Sequence, residues 1–295
     1  MKYLLISISF FLISCSSLLQ EISISKIKPY NFKLEEEWHM APPFLLEFSK
    51  ANKKLWYIGA VHSNELNSET FKLIDSFFSK HTPDIVIIEG LETKESKKIH
   101  NLIKAKCSNL KSITNQSFCE ENLYTALKAQ EFNIPVIGGE PIDEELLRIV
   151  KQYGYDEEDY INFWFSSAIP QLYREGKLTL FNQIESNYTE FAKSFPSRNL
   201  KYASYKAWLE DKILKVEFQE LINANFTAPI KDGNYLQQLS SIIGIERDKH
   251  IVKIIFNSLS RYNKVLIVYG HSHVLTQLPA FEAYIDNYIA LDLKY

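Results

Sequence analysis

Apolar and polar positions alternate along this chain in two distinct rhythms. Leu45 to Val61 holds two apolar runs around Lys50-Ala51-Asn52-Lys53, the pattern of a β-hairpin. Asn67 to Lys80 places Phe71, Ile74, Phe77 and Phe78 at helical spacing, and Thr82-Pro83-Asp84 stops that helix. Ile85-Val86-Ile87-Ile88 is an unbroken β-branched run, as expected of a strand covered on both faces. Glu120 to Phe132 reads as a helix, and Ile134 to Gly138 as a short strand ending in Gly139-Glu140. From Pro141 to about Phe226 the period is helical, with an aromatic-rich stretch from Tyr153 to Tyr173 and an amphipathic one from Tyr202 to Leu221. Leu239 to Tyr262 is a further helix, Val265 to Tyr269 a last buried strand, and Phe281 to Leu293 supplies one or two edge strands.

Short apolar strands alternating with helices predict an α/β fold. Its central sheet is mainly parallel and flanked by helices, with a helical insertion over about 143–226. No Pro/Gly-rich linker divides the chain, so residues 34–295 are expected to form one domain, and 16–33 reads as a polar tether.

The N-terminus follows a different logic. Met1-Lys2 is a short basic start, Tyr3 to Ile13 is almost wholly apolar, and Ser14 precedes Cys15. This is the layout of a secretory signal. The run is too short to span a bilayer as a helix. Leu12-Ile13-Ser14-Cys15 resembles a bacterial lipobox, after which Cys15 carries the lipid and begins the mature chain. Residues 1–15 are therefore expected to be signal and lipid-bearing cysteine. The domain beyond them is expected in the cell envelope, anchored to a membrane.

Composition narrows the picture. With 46% hydrophobic and 14% aromatic residues the chain can bury a sizeable core. A formal net charge of -3 leaves no basic excess for a phosphate backbone, which argues against nucleic acid as a partner. In an oxidising compartment Cys107 and Cys119, twelve positions apart in a polar stretch, are expected to close a disulfide.

Three buried strands end in polar groups: Gly59-Ala60-Val61-His62, Glu89-Gly90 and Gly270-His271-Ser272-His273. Ligands of open α/β sheets bind beyond the carboxyl ends of the strands, where residues distant in sequence converge. Two of these ends share the spacing Gly-x-x-His, and Glu140 closes another strand. Two histidines and a carboxylate can hold a divalent cation and leave a position for water. A histidine or glutamate there can also act as general acid or base. Arg247 and His250 share a helix face just before the last strand. Arg247 would then hold a substrate carboxylate or an oxyanion, or else belong to a surface run of ion pairs. Glu140, His250 and His271 are candidates for supporting the site. His39, His81 and His100 read as surface residues. Gly-x-Ser-x-Gly, a P-loop and Gly-x-Gly-x-x-Gly are all absent.

The segments Trp56 to His62, Pro83 to Glu89, Glu246-Arg247 and Val268 to His273, in this order, resemble the TraB/GumN/Tiki family, grouped with the erythromycin esterases and ChaN-like haem-binding lipoproteins. The resemblance spans most of residues 45–295. It implies an α/β fold with its site at the strand ends. For Tiki-like members it implies a peptidase that uses a divalent metal, Mn or Co, with Zn as a further option. His62 and His273 would be ligands, Glu89 a ligand or base, and Arg247 a site residue. Asp248-Lys249-His250 and the extra His271 are closer to the esterases, which hydrolyse esters without a required metal and would use His62 as base with Glu89 orienting it. The ChaN-like reading implies haem or metal binding without turnover. The expected substrate is a peptide or a small-molecule ester.

Overall fold

The computed structural model describes residues 18–63, 65–93, 96–107, 119–174, 176–195, 198–213, 216–285 and 287–291. The signal and lipidation expected up to Cys15 lie outside these residues.

The chain divides into two compact units, one of residues 1–142 with 247–295 and one of residues 143–246. The insertion expected over 143–226 therefore begins where the sequence places it but runs twenty residues further, and it forms a unit of its own.

The first unit is built on a six-stranded sheet in the order β4-β3-β5-β2-β1-β6. The strands are β1 (Phe44–Lys50), β2 (Lys53–Ala60), β3 (Ile85–Glu92), β4 (Val136–Glu140), β5 (Lys264–Gly270) and β6 (Asn287–Leu291). β2, β5, β3 and β4 run parallel. β1 is antiparallel to both β2 and β6. The hairpin turns at Ala51, which takes a left-handed φ of 52°. The helices of this unit are α1 (residues 18–24), α2 (Phe32–Glu37), α3 (Glu69–Lys80), α4 (Ser96–Lys106), α5 (Glu121–Glu131) and α12 (His271–Tyr284).

The apolar runs form strands because both sheet faces are covered. Trp56, Ile58, Val86, Ile88, Leu266 and Val268 point into one core, together with Phe71, Ile74 and Phe77 of α3. Leu55, Tyr57, Ile85, Ile87, Val265, Ile267 and Tyr269 point into the other, with α12 and the end of α11 (Tyr235–Arg261). Successive residues thus enter opposite cores, the period-two rule applied to central strands covered on both faces, while edge strand β6 exposes Tyr288 and Ile289. Each fully buried aliphatic side chain here is worth roughly 1.5–3 kcal/mol relative to exposure.

Cys107, at the end of α4, and Cys119, just before α5, are joined as a disulfide with an S–S distance of 2.06 Å. His81, expected at the surface, instead packs its ring 5.1 Å from both Trp56 and Phe77. The expected tether is more ordered than its polar composition suggests. Residues 18–24 are helical, and Ile24 and Ile27 pack against the second core.

The second unit is helical: α6 (Asp143–Gln152), α7 (Glu157–Arg174), α8 (Ile184–Ala192), α9 (Tyr202–Ile213), α10 (Phe218–Leu221) and the first part of α11. The aromatic stretch noted in the sequence is its core. Tyr160, Phe163 and Phe165 of α7 pack with Tyr188, Tyr205 and Trp208.

Candidate functional site

The carboxyl ends of β2, β3, β4 and β5 lie side by side on one edge of the sheet. Beyond β2 the chain turns at Val61. The Thr70 hydroxyl accepts from the Val61 N–H at 3.1 Å and donates to the Val61 carbonyl at 2.8 Å, which fixes the turn before His62. His62 Nδ1 is 2.5 Å from Glu121 Oε1, and the Ser63 N–H donates to the other Glu121 oxygen at 3.2 Å. Glu121 is buried in the first turn of α5, where the helix dipole favours a carboxylate.

Glu89 lies near the end of β3, and the chain escapes it through Gly90 at φ +79°, a conformation suited to glycine. Its Oε2 accepts the Gly270 N–H at 2.7 Å. Its Oε1 lies 3.5 Å from His273 Nε2 and 3.5 Å from an Arg247 terminal nitrogen. Gly270 is a second glycine that bears on the site. A Cβ there would stand 3.0 Å from His62 Nε2 and 3.4 Å from Glu89 Oε2, so the backbone must come bare between them. The same two numbers place His62 Nε2 and the Glu89 carboxylate on one small patch.

Gly270 also opens α12, whose first turn carries His273. His273 Nδ1 is 2.7 Å from Asp248 Oδ1. Asp248 in turn accepts from Thr276 Oγ1 at 2.5 Å and from Gln277 Nε2 at 2.7 Å, both on α12. Next to it on α11, Arg247 makes a two-pronged contact with Glu140 at 2.8 and 2.7 Å. The Arg247 guanidinium is thus held by Glu140 and faces Glu89, instead of joining a surface run of ion pairs.

The structure therefore gathers His62, Glu89, Glu140, Arg247 and His273, all named from the sequence. His271 goes elsewhere. Its Nδ1 lies 3.3 Å from the Ala60 carbonyl oxygen and its Nε2 3.8 Å from Glu35 Oε1. His250 is half-buried on α11, three residues beyond Arg247. Two residues were missed: Glu121, and Asp248 in its role as the partner of His273. The signal that points to them is chemical. A functional imidazole needs its second nitrogen held, so each candidate histidine calls for a buried carboxylate nearby.

Proton affinities follow from this packing. The Glu121 hydrogen bond lifts the His62 pKa to about 9, against the opposing effect of burial. Burial also works against a charge on His273, but Asp248 and Glu89 outweigh it and raise the pKa to about 10. Burial would push Glu89 up, yet His273, His62 and Arg247 hold it well below the usual carboxylate range. In this state the site is a salt-bridged cluster of His62, His273 and Arg247 against Glu89, Glu121, Glu140 and Asp248.

That leaves one more negative than positive group. A divalent cation that displaced both imidazolium protons would preserve this balance. Two imidazoles and a carboxylate are donor types that such an ion accepts. Each histidine gives Nδ1 to a carboxylate, which is how ligating histidines are usually held, and His273 turns Nε2 toward Glu89. Among the described residues, no group of three or more His, Cys, Asp or Glu is placed so that it could hold a metal ion.

Comparison with known proteins finds no matching family model, no matching curated protein and no matching solved structure.

Proposed function

We propose that this protein is a hydrolase of the TraB/GumN/Tiki type, lipid-anchored through Cys15, that cleaves a peptide or ester bond with the help of a divalent cation. The observation that carries this reading is the pair of histidine–carboxylate contacts, His62 with Glu121 and His273 with Asp248, gathered with Glu89 at the carboxyl ends of the parallel strands.

His62, Glu89 and His273 would hold the ion, which supplies Lewis acidity and a water of lowered pKa. The protein's own groups do the rest. Glu121 and Asp248 keep the Nδ1 protons, so each imidazole offers Nε2. Thr276 and Gln277 fix Asp248, and through it the plane of His273. The Gly270 N–H orients Glu89. Arg247, braced by Glu140, sets a fixed positive charge beside Glu89, where negative charge on a reacting carbonyl oxygen would be stabilised.

One observation favours a second, metal-free reading of the same residues. The His62 side chain is 66% exposed while its Nδ1 is held by Glu121, the geometry of a general acid or base open to substrate. A single experiment separates the two. The mature chain is assayed against a peptide library and a panel of short esters with Mn, Co or Zn, then again after chelation. Turnover that disappears with the chelator and returns with added ion supports the first reading. Turnover that survives chelation transfers the chemistry to His62 alone. No turnover of any substrate under either condition would contradict both.

A further inference from the structure

Helix α1 presents an apolar side that the fold leaves uncovered. Leu18, Leu19 and Ile22 are 56%, 38% and 48% exposed. Positions i, i+1 and i+4 fall within about 100° of one another on a helix, so the three share one side. The segment is nevertheless fixed to the protein: Ser23 is fully buried, and Ile24 and Ile27 pack into the second core. The Lys28 N–H donates to the Thr276 carbonyl at 3.1 Å. Among the described residues, these three leucine-sized side chains are held largely outward on a docked helix.

The occupant follows from the lipobox-like Leu12-Ile13-Ser14-Cys15 that lies close by in the sequence. Resting on the reading of Cys15 as the lipid-bearing residue, we propose that Leu18, Leu19 and Ile22 seat this helix on the surface of the bilayer that holds the lipid. Leu18 lies three positions after Cys15, and three fully extended steps of the chain reach only about 11 Å. An anchored cysteine therefore leaves this face no distance in which to avoid the interface, and a short apolar face beside a lipid anchor is a second membrane contact. Lys26 and Lys28 follow directly and are exposed, suited to anionic headgroups.

The seat is coupled to the candidate site. Thr276, whose carbonyl receives the Lys28 N–H, is the residue whose hydroxyl donates to Asp248 behind His273. The bilayer-seated segment and the histidine-bearing helix are thereby one packed piece, not a domain on a loose leash.

The test uses the full mature chain in vesicles of phosphatidylethanolamine and phosphatidylglycerol. Single Leu18→Cys and Ile22→Cys variants carry a nitroxide, and the N-terminal peptide is weighed for acylation. The reference is the same labelled variants begun at Ser16 and kept in solution. An acylated terminus, with both nitroxides at least fivefold more accessible to oxygen relative to a water-soluble nickel chelate than the reference, supports the proposal. An acylated terminus with labels as open to nickel as the reference overturns it while leaving the anchor intact. An unacylated terminus removes the anchor and the proposal together.

Discussion

The two histidine–carboxylate pairs use the same contact in opposite surroundings. His273 and Asp248 are 16% and 4% exposed at the side chain, and Asp248 is enclosed by Thr276 and Gln277. The His62 side chain is 66% exposed over a Glu121 that is itself 7% exposed. The first pair is locked into the packing between α11 and α12. The second opens to solvent and keeps only its carboxylate end buried. Distance alone does not decide the role of such a pair, because burial determines whether breaking it destabilises the fold or only the chemistry.

The largest effect should therefore come from the buried side. Asp248→Ala strands a buried imidazolium and removes the acceptor of two further hydrogen bonds. A loss of about 3–5 kcal/mol in urea denaturation is expected, as for other broken buried pairs. A loss below about 1 kcal/mol would mean that His273 sheds its proton or finds another partner.

The next effect is on pH dependence, measured without added divalent ion. Folded His273 keeps its proton to about pH 10, against an ordinary value of 6.5. The folded state therefore binds the extra proton between those values. The stability it brings is complete below about pH 6.5, declines as pH rises and is gone above about pH 10. His62 adds a similar decline that ends near pH 9. Asp248→Asn should flatten most of this slope, while Glu121→Gln should remove only the part that ends near pH 9. Identical slopes in both variants would erase the distinction between the pairs.

Glu121→Gln sharpens the contrast from the exposed side. A stability loss of about 1 kcal/mol is expected, small because its partner is solvent-screened. Activity or metal affinity should fall roughly 10–100-fold, as when an outer carboxylate behind a histidine ligand is removed. The smallest change belongs to His271→Ala, which lies outside the pairs. It should stay within about 0.5 kcal/mol of the parent and retain turnover.

Much of the frame was legible in the residues. Ile85 to Ile88 and Val265 to Tyr269 read as strands buried on both sides, and both are. The Gly-x-x-His ends placed His62 and His273 at the sheet edge, where the two glycines serve close approach, Gly59 to the Phe44 ring and Gly270 to His62 and Glu89. The carboxylates behind them were not legible. Glu121 is 59 positions from His62, and Asp248 is 25 from His273. Neither has a local pattern, since each is one of two acids on its helix and only the packing of α5 and α11 selects it. Asp248 follows Arg247, which drew attention as the conspicuous charge, yet neighbouring positions on a helix point about 100° apart and meet different partners. The order of residues 18–24 was hidden for a related reason. Gln20, Glu21 and Ser23 read as solvated, and the docking of this segment depends on a core formed by distant strands and helices.

The central claim is that His62, Glu89 and His273 together hold a divalent cation. It is tested most directly by metal analysis of the chain from Ser16 onward after incubation with Mn, Co or Zn and desalting, beside His62→Ala and His273→Ala. The account predicts about one ion per chain in the parent and far less in both variants. No retained ion in a folded parent, or an ion retained equally by all three proteins, would contradict it.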